Sequence, residues 1–285
     1  MDHIKEKGMK VIFMIAACTS VLAVFLICIF LFANGIPTIG EIGPLKFLLG
    51  REWKPSNNKF GIFPMIIASI YVTGGAVVLG VPIALFTSVF MARYCPKKIY
   101  GPLKSGIELM AGVPSIVYGF FGLVLIVPLI RNVFGGTGTS MLAAVILLGM
   151  MILPTIIGVT ESAIRSVPES YYEGSLALGA TKERSIFAVM IPAAKSGILA
   201  GIVLGIGRAI GETMAVVMIA GNQPRMPEGL LKGVRTMTMN IVTEMGYASG
   251  LHREALIATA VVLFVFILII NLSLSLLNRR AEHAN

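Results

Sequence analysis

Long uninterrupted apolar runs are the dominant pattern in this sequence of 285 residues. A helix needs roughly 20 apolar residues to cross the hydrocarbon core of a bilayer. Six segments meet that requirement and are predicted to span a membrane, at about Val11–Ala33, Pro64–Ala92, Leu109–Ile130, Met141–Val159, Ser196–Ala220 and Ala255–Leu277. The segments lack strand-like alternation, and backbone groups in lipid have to be bonded within their own segment, so the spans are predicted to be helices.

The connections between the predicted spans are mostly short. Two longer connections, about 34–63 and 221–254, fall on one side of the membrane, and a third, about 160–195, falls on the other. No linker, internal repeat or second soluble domain is evident. The pattern therefore predicts an all-α polytopic membrane protein whose residues 1–285 form one transmembrane domain.

The composition agrees with a membrane protein. Only 13% of the residues are charged and 56% are hydrophobic, whereas soluble domains carry about 25% charged residues. The formal net charge of +9 would suggest nucleic-acid binding in a soluble protein. Here the basic residues lie between apolar runs, where they set the orientation of the chain and contact lipid headgroups.

The distribution of Lys and Arg predicts the orientation. The side that contains both termini carries the larger share of these residues, which predicts that both termini are cytoplasmic. The basic N-terminus followed by an apolar run could also indicate a signal peptide. Because Val11–Ala33 is longer than the apolar core of a signal peptide, we interpret it as the first transmembrane helix.

Residues that bind metals or catalyse reactions are sparse. The cysteines and histidines are scattered along the chain, at Cys18, Cys28, Cys95, His3, His252 and His283. They form neither a disulfide framework nor a spacing typical of metal sites, so we predict no metal and no cofactor. The spans also contain no paired carboxylates and no nucleophile–base set, which argues against a membrane-embedded enzyme.

The connection at about 160–195 carries several helix-boundary signals. Ser166 and Glu169 have the spacing of a capping box, which predicts a short helix that runs to about Leu178. Gly179 can adopt the left-handed conformation that ends a helix, and Thr181 can cap a second helix. These signals alone are also compatible with an ordinary interfacial loop that contains amphipathic helices.

The spacing within this connection is more specific. Glu173–Ser175, then Gly179, then nine residues, then Val189–Pro192 resembles the signature of ABC importer permeases: Glu-Ala-Ala, three residues, Gly, nine residues and Ile-x-Leu-Pro. The sequence departs from that signature at Gly174, Ser175, Val189 and Ile191, all of them small or apolar replacements. The resemblance implies a coupling helix, shaped by Glu173, Gly179 and Pro192, that docks on a separate ATPase subunit.

An ATP-binding site is not evident in this chain. A phosphate-binding P-loop needs G-x-x-x-x-G-K-[ST], and the sequence contains no Gly-Lys dipeptide. The glycine-rich segment 135–138 lacks the lysine and joins two predicted spans. We therefore expect ATP hydrolysis to take place on the partner.

The fifth predicted span contains two charged residues, Arg208 and Glu212. Placing either type at the bilayer centre costs about 2.5–3.5 kcal/mol, so such residues face protein or a water-filled pathway. At positions i and i+4 of a continuous helix the two would share a face and pair. Gly197, Gly201 and Gly205 lie near the same face and leave room for a second backbone or for a cavity.

Two roles for this pair remain open at the level of the sequence. It can be a structural ion pair that locks two helices together. Alternatively, Arg208 presents its planar guanidinium to a tetrahedral oxyanion, while Glu212 holds the orientation of Arg208. A carboxylate could also accept the proton that phosphate carries at neutral pH and that sulfate does not.

A second resemblance covers nearly the whole chain. Arg208–Ala215, Val113–Leu123, Trp53–Pro55 and Phe60–Ile62 resemble the PstC branch of the phosphate-specific (Pst) importer permeases. The resemblance implies a type I ABC importer permease fold in a bacterial or archaeal cell membrane. It also implies a PstA-like sister permease, ATPase subunits and an extracytoplasmic phosphate-binding protein, which together import inorganic phosphate by alternating access.

Weaker candidates lie near this framework. Ser115 and Tyr118 follow Pro114 in the third span, where their hydroxyls either bond carbonyl groups freed by the proline or line the substrate pathway. Glu244 and His252 lie in the last outer connection, where we expect a solvated loop, with contact to the binding protein as the alternative.

Two other transporter classes are alternatives. A permease for sulfate or molybdate is disfavoured by the Arg208–Ala215 segment. A secondary anion transporter could use Arg208 and Glu212, but such proteins usually contain repeated halves, and they have no use for an ATPase-docking signature.

Overall fold

The computed structural model describes the backbone of residues 2–282 and the side chains of residues 6–273 and 276. It is helical almost throughout, as predicted. The α-helices are α1 Asp2–Ile42, α2 Pro44–Leu49, α3 Phe63–Val89, α4 Lys97–Gly112, α5 Ser115–Phe121, α6 Val127–Phe134, α7 Met141–Ser166, α8 Glu169–Ala177, α9 Lys182–Ser185, α10 Ile191–Ala193, α11 Lys195–Gly211, α12 Met214–Ile219, α13 Met237–Met245 and α14 Gly250–Glu282. Three short π-helical turns, Phe90–Tyr94, Gly122–Ile126 and Ile186–Met190, continue neighbouring helices.

Five helical segments of the described chain are long and apolar enough to cross a membrane. They are Glu6–Ile42, Phe63–Tyr94, Ser115–Phe134, Met141–Ser166 and Gly250–Ser273. A sixth span is obtained if Lys182–Ala193 and Lys195–Gly211, which meet at 69°, are counted as one bent crossing. The predicted all-α architecture with its spans is confirmed, and several boundaries differ.

The third predicted span is interrupted near its start. The prediction placed one helix at about Leu109–Ile130, but α4 ends at Gly112 and α5 begins at Ser115. Val113 has the extended conformation, with ψ of 128°. The residue before a proline is disfavoured in the helical region, so Pro114 accounts for the break.

The fifth predicted span is also discontinuous, and the continuous helix expected at about Ser196–Ala220 is wrong. Helix α11 ends at Gly211, Glu212 is extended with ψ of 129°, and α12 begins at Met214. The two helices are therefore separated at the position of the predicted ion pair. The backbone groups released by this break are bonded by side chains, as described below.

Helix α7 lies at the centre of the packing, between α3 and α11. A Cβ atom added at Gly80 of α3 would lie 2.9 Å from the carbonyl oxygen of Gly149 on α7. On the other side, a Cβ atom added at Gly205 of α11 would lie 2.6 Å from the Ile156 side chain of α7. Of the two possibilities left open for the glycine face of α11, a second helix or a cavity, the structure shows a second helix.

Two structured regions lie at the ends of the bundle. At one end, α8 and α9 form a helix–turn–helix that we call the elbow, Glu169–Ser185. At the other end, the strands β1 Trp53–Lys54 and β2 Lys59–Phe60 form an antiparallel hairpin that packs near α13 and the start of α14. We refer to these as the elbow end and the hairpin end.

Candidate functional site

The break between α11 and α12 places polar groups within the fifth span predicted from the sequence, Ser196–Ala220. Glu212 and Thr213 connect the two helices, and the Thr213 hydroxyl donates to the carbonyl of Gly211 at 3.1 Å. From α13, the Thr238 hydroxyl donates to the carbonyl of Glu212 at 3.2 Å. Non-helical backbone at membrane depth is tolerated where protein buries it or where it lines a cavity. These two hydrogen bonds satisfy backbone carbonyl groups that the break leaves without a helical partner.

Arg208 is half-buried and bonds to a neighbouring helix. Its Nη1 donates to the hydroxyl of Thr155 on α7 at 3.1 Å. No other hydrogen bond of its guanidinium to a described residue is present, so Nε and Nη2 are available to a further acceptor. The Tyr118 phenol lies within electrostatic range of this guanidinium. The site thus offers a fixed cation with unused donors.

Glu212 does not pair with Arg208 in the described part of the chain, so the predicted ion pair is wrong. The carboxylate instead accepts hydrogen bonds from the backbone N–H groups of Thr213 at 3.1 Å and Ala215 at 3.2 Å. A carboxylate at a helix N-terminus satisfies donors that have no partner within the helix. Glu212 therefore caps α12, and the extended backbone at its own position removes the i, i+4 geometry on which pairing depended.

Ser115 and Tyr118 differ in their surroundings. The buried Tyr118 donates its hydroxyl to the carbonyl of Met110 at 2.8 Å, across the break at Pro114. That bond satisfies a carbonyl freed by the break, which is one of the two expected roles. Ser115 is half-buried at the start of α5. A pathway role for these two residues stays a prediction.

The turn of the elbow has the geometry expected from its sequence. Gly179 has a φ of +86°, in the left-handed region, and its N–H donates to the carbonyl of Leu176 at 2.9 Å. The Thr181 hydroxyl accepts a hydrogen bond from the N–H of Arg184 at 3.3 Å and caps α9. Ser185 donates to Ser175 at 3.0 Å and joins the two arms of the elbow.

The start of the elbow differs from the prediction. Ser166 belongs to the end of α7 and donates to the carbonyl of Ala163, so it does not cap α8. Pro168 occupies the N-cap position, and its side chain makes no capping bond. Glu169 instead forms an ion pair with Arg93. The capping-box prediction is wrong because α7 continues past the predicted end of the fourth span.

The surface of the elbow exposes apolar side chains together with signature residues. Leu178 is 91% exposed at the tip, and Tyr171 is exposed on α8. Glu173 and Gly179 are exposed as well, and so is Pro192 in α10. Exposed apolar side chains at the tip of a rigid turn are typical of a surface that binds another protein.

The hairpin end contains a buried polar cluster that the sequence did not predict. The carboxylate of Glu244 on α13 accepts hydrogen bonds from Trp53 Nε1 at 2.8 Å and from Arg235, and His252 Nε2 lies 2.8 Å away. Arg235 also donates to Asn240 at 3.0 Å. The expectation that Glu244 and His252 occupy a solvated loop is wrong, because the hairpin covers them.

The surroundings of Glu244 change its pKa. Burial by itself raises the pKa of this carboxyl, but the hydrogen bonds from Trp53, His252 and Arg235, together with the charge of Arg235, outweigh burial and hold the pKa below its usual value. The cluster therefore contains a carboxylate that is charged at neutral pH. It joins the hairpin, α13 and α14.

The hairpin end also carries a basic cleft of about 490 Å³. Arg51, Lys54 and Arg225 are exposed along it, with Glu52 as the acidic member of the lining. Within the described residues, no group of three His, Cys, Asp or Glu side chains is arranged to hold a metal ion. The exposed charges along the cleft are therefore mainly positive.

Thr155 and Arg93 are further residues of interest that the sequence did not single out. A lone threonine in an apolar span ordinarily bonds to its own helix, so nothing marked Thr155 as a partner of Arg208. The exposure of Leu178 could have been predicted, since this leucine directly precedes the glycine of the turn, where no apolar core is expected.

Comparison with known proteins gives consistent matches. Residues 80–283 match the family described as "Binding-protein-dependent transport system inner membrane component". The chain is 37% identical to the "Probable ABC transporter permease protein YqgH" of Bacillus subtilis (strain 168), over 90% of this chain and 87% of that protein. It is 31% identical to the "Phosphate transport system permease protein PstC" of Mesorhizobium japonicum, over 86% of this chain and 81% of that protein.

A solved structure gives the same picture of the fold. The inward-facing MetNI methionine ABC transporter superposes with a TM-score of 0.65 at 19% identity. The match covers 81% of this chain and 99% of the matched chain. Identity at that level carries information about the fold alone.

Proposed function

We propose that this chain is the PstC-type permease subunit that passes inorganic phosphate across the membrane. The premise is that the chain belongs to the family of binding-protein-dependent transport system inner membrane components. The chain is a multi-pass inner-membrane protein and an ABC importer permease subunit of type I fold, and is not itself an enzyme. Phosphate as the substrate is supported by PstC relatives that match most of the chain.

The half-buried Arg208 carries the proposal for the substrate pathway. A guanidinium fixed by Thr155 through one nitrogen keeps its other donors in the planar arrangement that suits an oxyanion. The interrupted backbone at Gly211–Thr213 lies beside it, and discontinuous helices commonly form substrate sites near the bilayer midplane. Phosphate would bind Arg208 transiently, with the sister permease completing the pathway.

Glu212 is the second pathway residue of the proposal. Its carboxylate is held at the start of α12 by two backbone donors, which leaves its position well defined. The negative charge of Glu212 would weaken the binding of a divalent anion to Arg208, so that the anion is not bound too tightly to be released. The same carboxylate could accept a hydrogen bond from the hydroxyl of monohydrogen phosphate, a group that sulfate lacks at neutral pH. Ser115 and Tyr118 complete the proposed pathway on α5.

The elbow is the proposed contact with an ATPase subunit. Exposed Leu178 and Tyr171 would enter a groove of that subunit, while Glu173, Gly179 and Pro192 define the shape of the elbow and its return to the membrane. A rigid helix–turn–helix transmits displacement, whereas a mobile loop absorbs it. This assignment puts the elbow end and both termini in the cytoplasm.

The remaining partners follow from the same orientation. The hairpin end would face outward, and the extracytoplasmic phosphate-binding protein would dock there against the basic cleft that contains Arg51, Lys54 and Arg225. A PstA-like sister permease would form the other half of the pathway, and two ATPase subunits would drive closure. Alternating access then moves phosphate between the two permeases.

Reconstituted transport tests the proposal. Vesicles that contain both permeases, the ATPase and the binding protein are supplied with ATP and labelled phosphate. We expect Arg208→Gln to stop uptake without affecting assembly, because the oxyanion loses its cationic partner. Lys98→Gln, at an exposed cation on α4, is the matched control and should transport normally. Normal uptake by Arg208→Gln would contradict the pathway assignment.

The coupling assignment is tested in the same vesicles. Glu173→Lys and Leu178→Asp should weaken ATPase association or separate ATP hydrolysis from uptake. Ser170→Asp, at an exposed position of α8, introduces the same charge as Leu178→Asp and should have a smaller effect. Uptake of sulfate or molybdate in preference to phosphate would favour the other oxyanion permeases, and uptake without ATP would favour a secondary transporter.

A further inference from the structure

Arg93 lies in the π-helical turn Phe90–Tyr94, at the point where the second span reaches the elbow end. Its side chain is only 13% exposed. Nη1 donates to Glu169 in the first turn of α8 at 2.8 Å. Nη2 lies 3.8 Å from the sulfur of Met190, and the guanidinium carbon lies 5.7 Å from the centre of the Tyr172 ring. One side chain therefore contacts the elbow and the segment that follows it.

The neighbouring residue contacts the other arm of the elbow. The ammonium group of Lys182, the first residue of α9, lies 4.7 Å from the centre of the Tyr94 ring. Arg93 and Tyr94 thus reach α8 and α9 from a single turn. Beneath them, an apolar cluster joins the second span to both sides of the elbow. The turn Phe90–Tyr94 is the place where the second span meets the elbow.

The contacts of Arg93 compensate an otherwise costly burial. Its Nε is buried and has no hydrogen-bond partner among the described residues. An unsatisfied buried donor destabilises a protein, so the position is held by the contacts of Nη1, Nη2 and the face of the guanidinium. Arginine can make these three contacts together because its donors lie in one plane, whereas lysine is a point charge.

We propose that Arg93 is a positioning residue that transmits displacement of the elbow to the second span, an inference that rests on the proposed ATPase contact of the elbow. Glu169 belongs to α8, so a shift of α8 moves the partner of Arg93 directly. The π-helical turn that contains Arg93 directly continues α3. A moving elbow therefore pulls on the second span through a charged bond as well as through apolar packing.

The second span leads toward the proposed pathway. Helix α3 packs closely on α7 at Gly80 and Gly149, and α7 carries Thr155, the partner of Arg208. Packed helices move as units because their interiors are close-packed. Displacement that enters at Arg93 thus reaches the helix that holds the proposed oxyanion site in place.

The uptake-to-hydrolysis ratio tests this role in the complete complex with its ATPase, sister permease and binding protein. We expect Arg93→Gln to assemble normally and to lower the phosphate moved per ATP hydrolysed by about fivefold, the scale of a partly exposed ion pair. Arg93→Lys, which can keep the bond to Glu169, should retain more of the ratio. Lys98→Gln, at an exposed cation on α4, is the control and should leave the ratio unchanged.

Hydrogen exchange gives a second measurement that does not depend on phosphate. In the same complex, Arg93→Gln should speed the exchange of the backbone amides of α8, since the helix loses its link to the second span. The inference is overturned if Arg93→Gln leaves both the ratio and this exchange unchanged, or if Arg93→Lys is no better than Arg93→Gln. Absent uptake in the original complex would instead count against the proposed function.

Discussion

The guanidinium of Arg208 on α11 donates to the hydroxyl of Thr155 on α7, with 3.1 Å between Nη1 and Oγ1. This partly buried bond links α11 to α7. It leaves Arg208 with further donors and fixes where they point. A cation expected to pair within its own helix is thus oriented by a neutral residue of another helix.

Removing the Thr155 hydroxyl should impair transport without unfolding the protein. Thr155→Val keeps the shape of the side chain but frees the guanidinium to rotate. A hydrogen bond from a charged donor contributes about 1.5 kcal/mol, so we expect phosphate uptake to fall by about tenfold. Labelled-phosphate uptake in vesicles measures the change. Thr155→Ser retains the hydroxyl and should remain near the original, and equal loss in both variants would count against this role.

The two roles of Glu212 can be separated by two substitutions. Glu212→Ala removes the cap of α12 and should lower the free energy of unfolding by about 1 kcal/mol. Glu212→Gln keeps an oxygen that accepts the two backbone bonds, so the fold should be preserved. We expect Glu212→Gln nevertheless to reduce uptake, because an amide carries no charge and is a weaker acceptor for the hydroxyl of phosphate. Thermal unfolding and vesicle uptake provide the two measurements.

Any side chain at position 179 should destabilise the turn of the elbow. With φ at +86°, an alanine would have to occupy the left-handed region, which costs about 1–2 kcal/mol. We expect Gly179→Ala to loosen the elbow and to weaken ATPase binding in a pull-down of the complex. Gly174→Ala, inside α8 where nothing lies near an added Cβ atom, should be neutral or slightly stabilising. Equal binding by the two variants would refute the turn argument.

The glycine face of α11 allows a matched pair of substitutions. An added methyl at Gly205 would lie 2.6 Å from the Ile156 side chain, whereas nothing lies within 4 Å of one at Gly207. Gly205→Ala should therefore lower the melting temperature by forcing α11 away from α7. Gly207→Ala should leave it unchanged or raise it, because alanine favours a helix over glycine by about 1 kcal/mol. A similar loss in both would show that packing on α7 is not the cause.

The Glu244 cluster predicts acid sensitivity at the hairpin end. The pKa of this carboxyl is lowered in the folded state from an ordinary value of 4.5. Its stabilising effect is therefore fully present above about pH 4.5 and is lost as the pH falls through the lower, folded pKa. We expect protease cleavage of the hairpin to increase in that acidic range.

A substitution at Glu244 separates the effect of its protonation from acid denaturation of the rest of the protein. Glu244→Gln removes the charge that Trp53, Arg235 and His252 surround, and breaking a buried ion pair costs about 3 kcal/mol. The variant should be cleaved readily even at neutral pH and should show little further change on acidification. Glu254→Gln, at an exposed carboxylate of α14, should behave like the original. Resistance of the Glu244 variant at neutral pH would contradict the prediction.

Several features of the site could be anticipated from local sequence. The left-handed glycine at 179 and the cap at Thr181 depend on neighbours within four residues, and both have the expected geometry. The glycine face of α11 follows from helical periodicity, and it packs on α7 as expected. Leu178 is exposed at the turn that Gly179 allows.

Other features depend on residues far apart in the chain. Glu244 was expected in a solvated loop, but Trp53, 191 positions earlier in the chain, donates a hydrogen bond to it. Arg93 and Glu169 are separated by 76 positions. No periodicity or spacing connects such pairs, because their proximity results from the way the spans pack.

The sequence by itself determined that the chain crosses a membrane as helices, because hydrocarbon accepts only apolar side chains and internally bonded backbone. It also determined the elbow turn, because backbone conformation there is set by glycine and a capping hydroxyl. Only the tertiary structure decided that α11 ends before Glu212 and that Arg208 bonds to Thr155. The backbone donors at the start of α12 bind the Glu212 carboxylate, and the Thr155 hydroxyl on α7 binds the Arg208 guanidinium. Thr155 becomes a partner of Arg208 only once the helices are packed together.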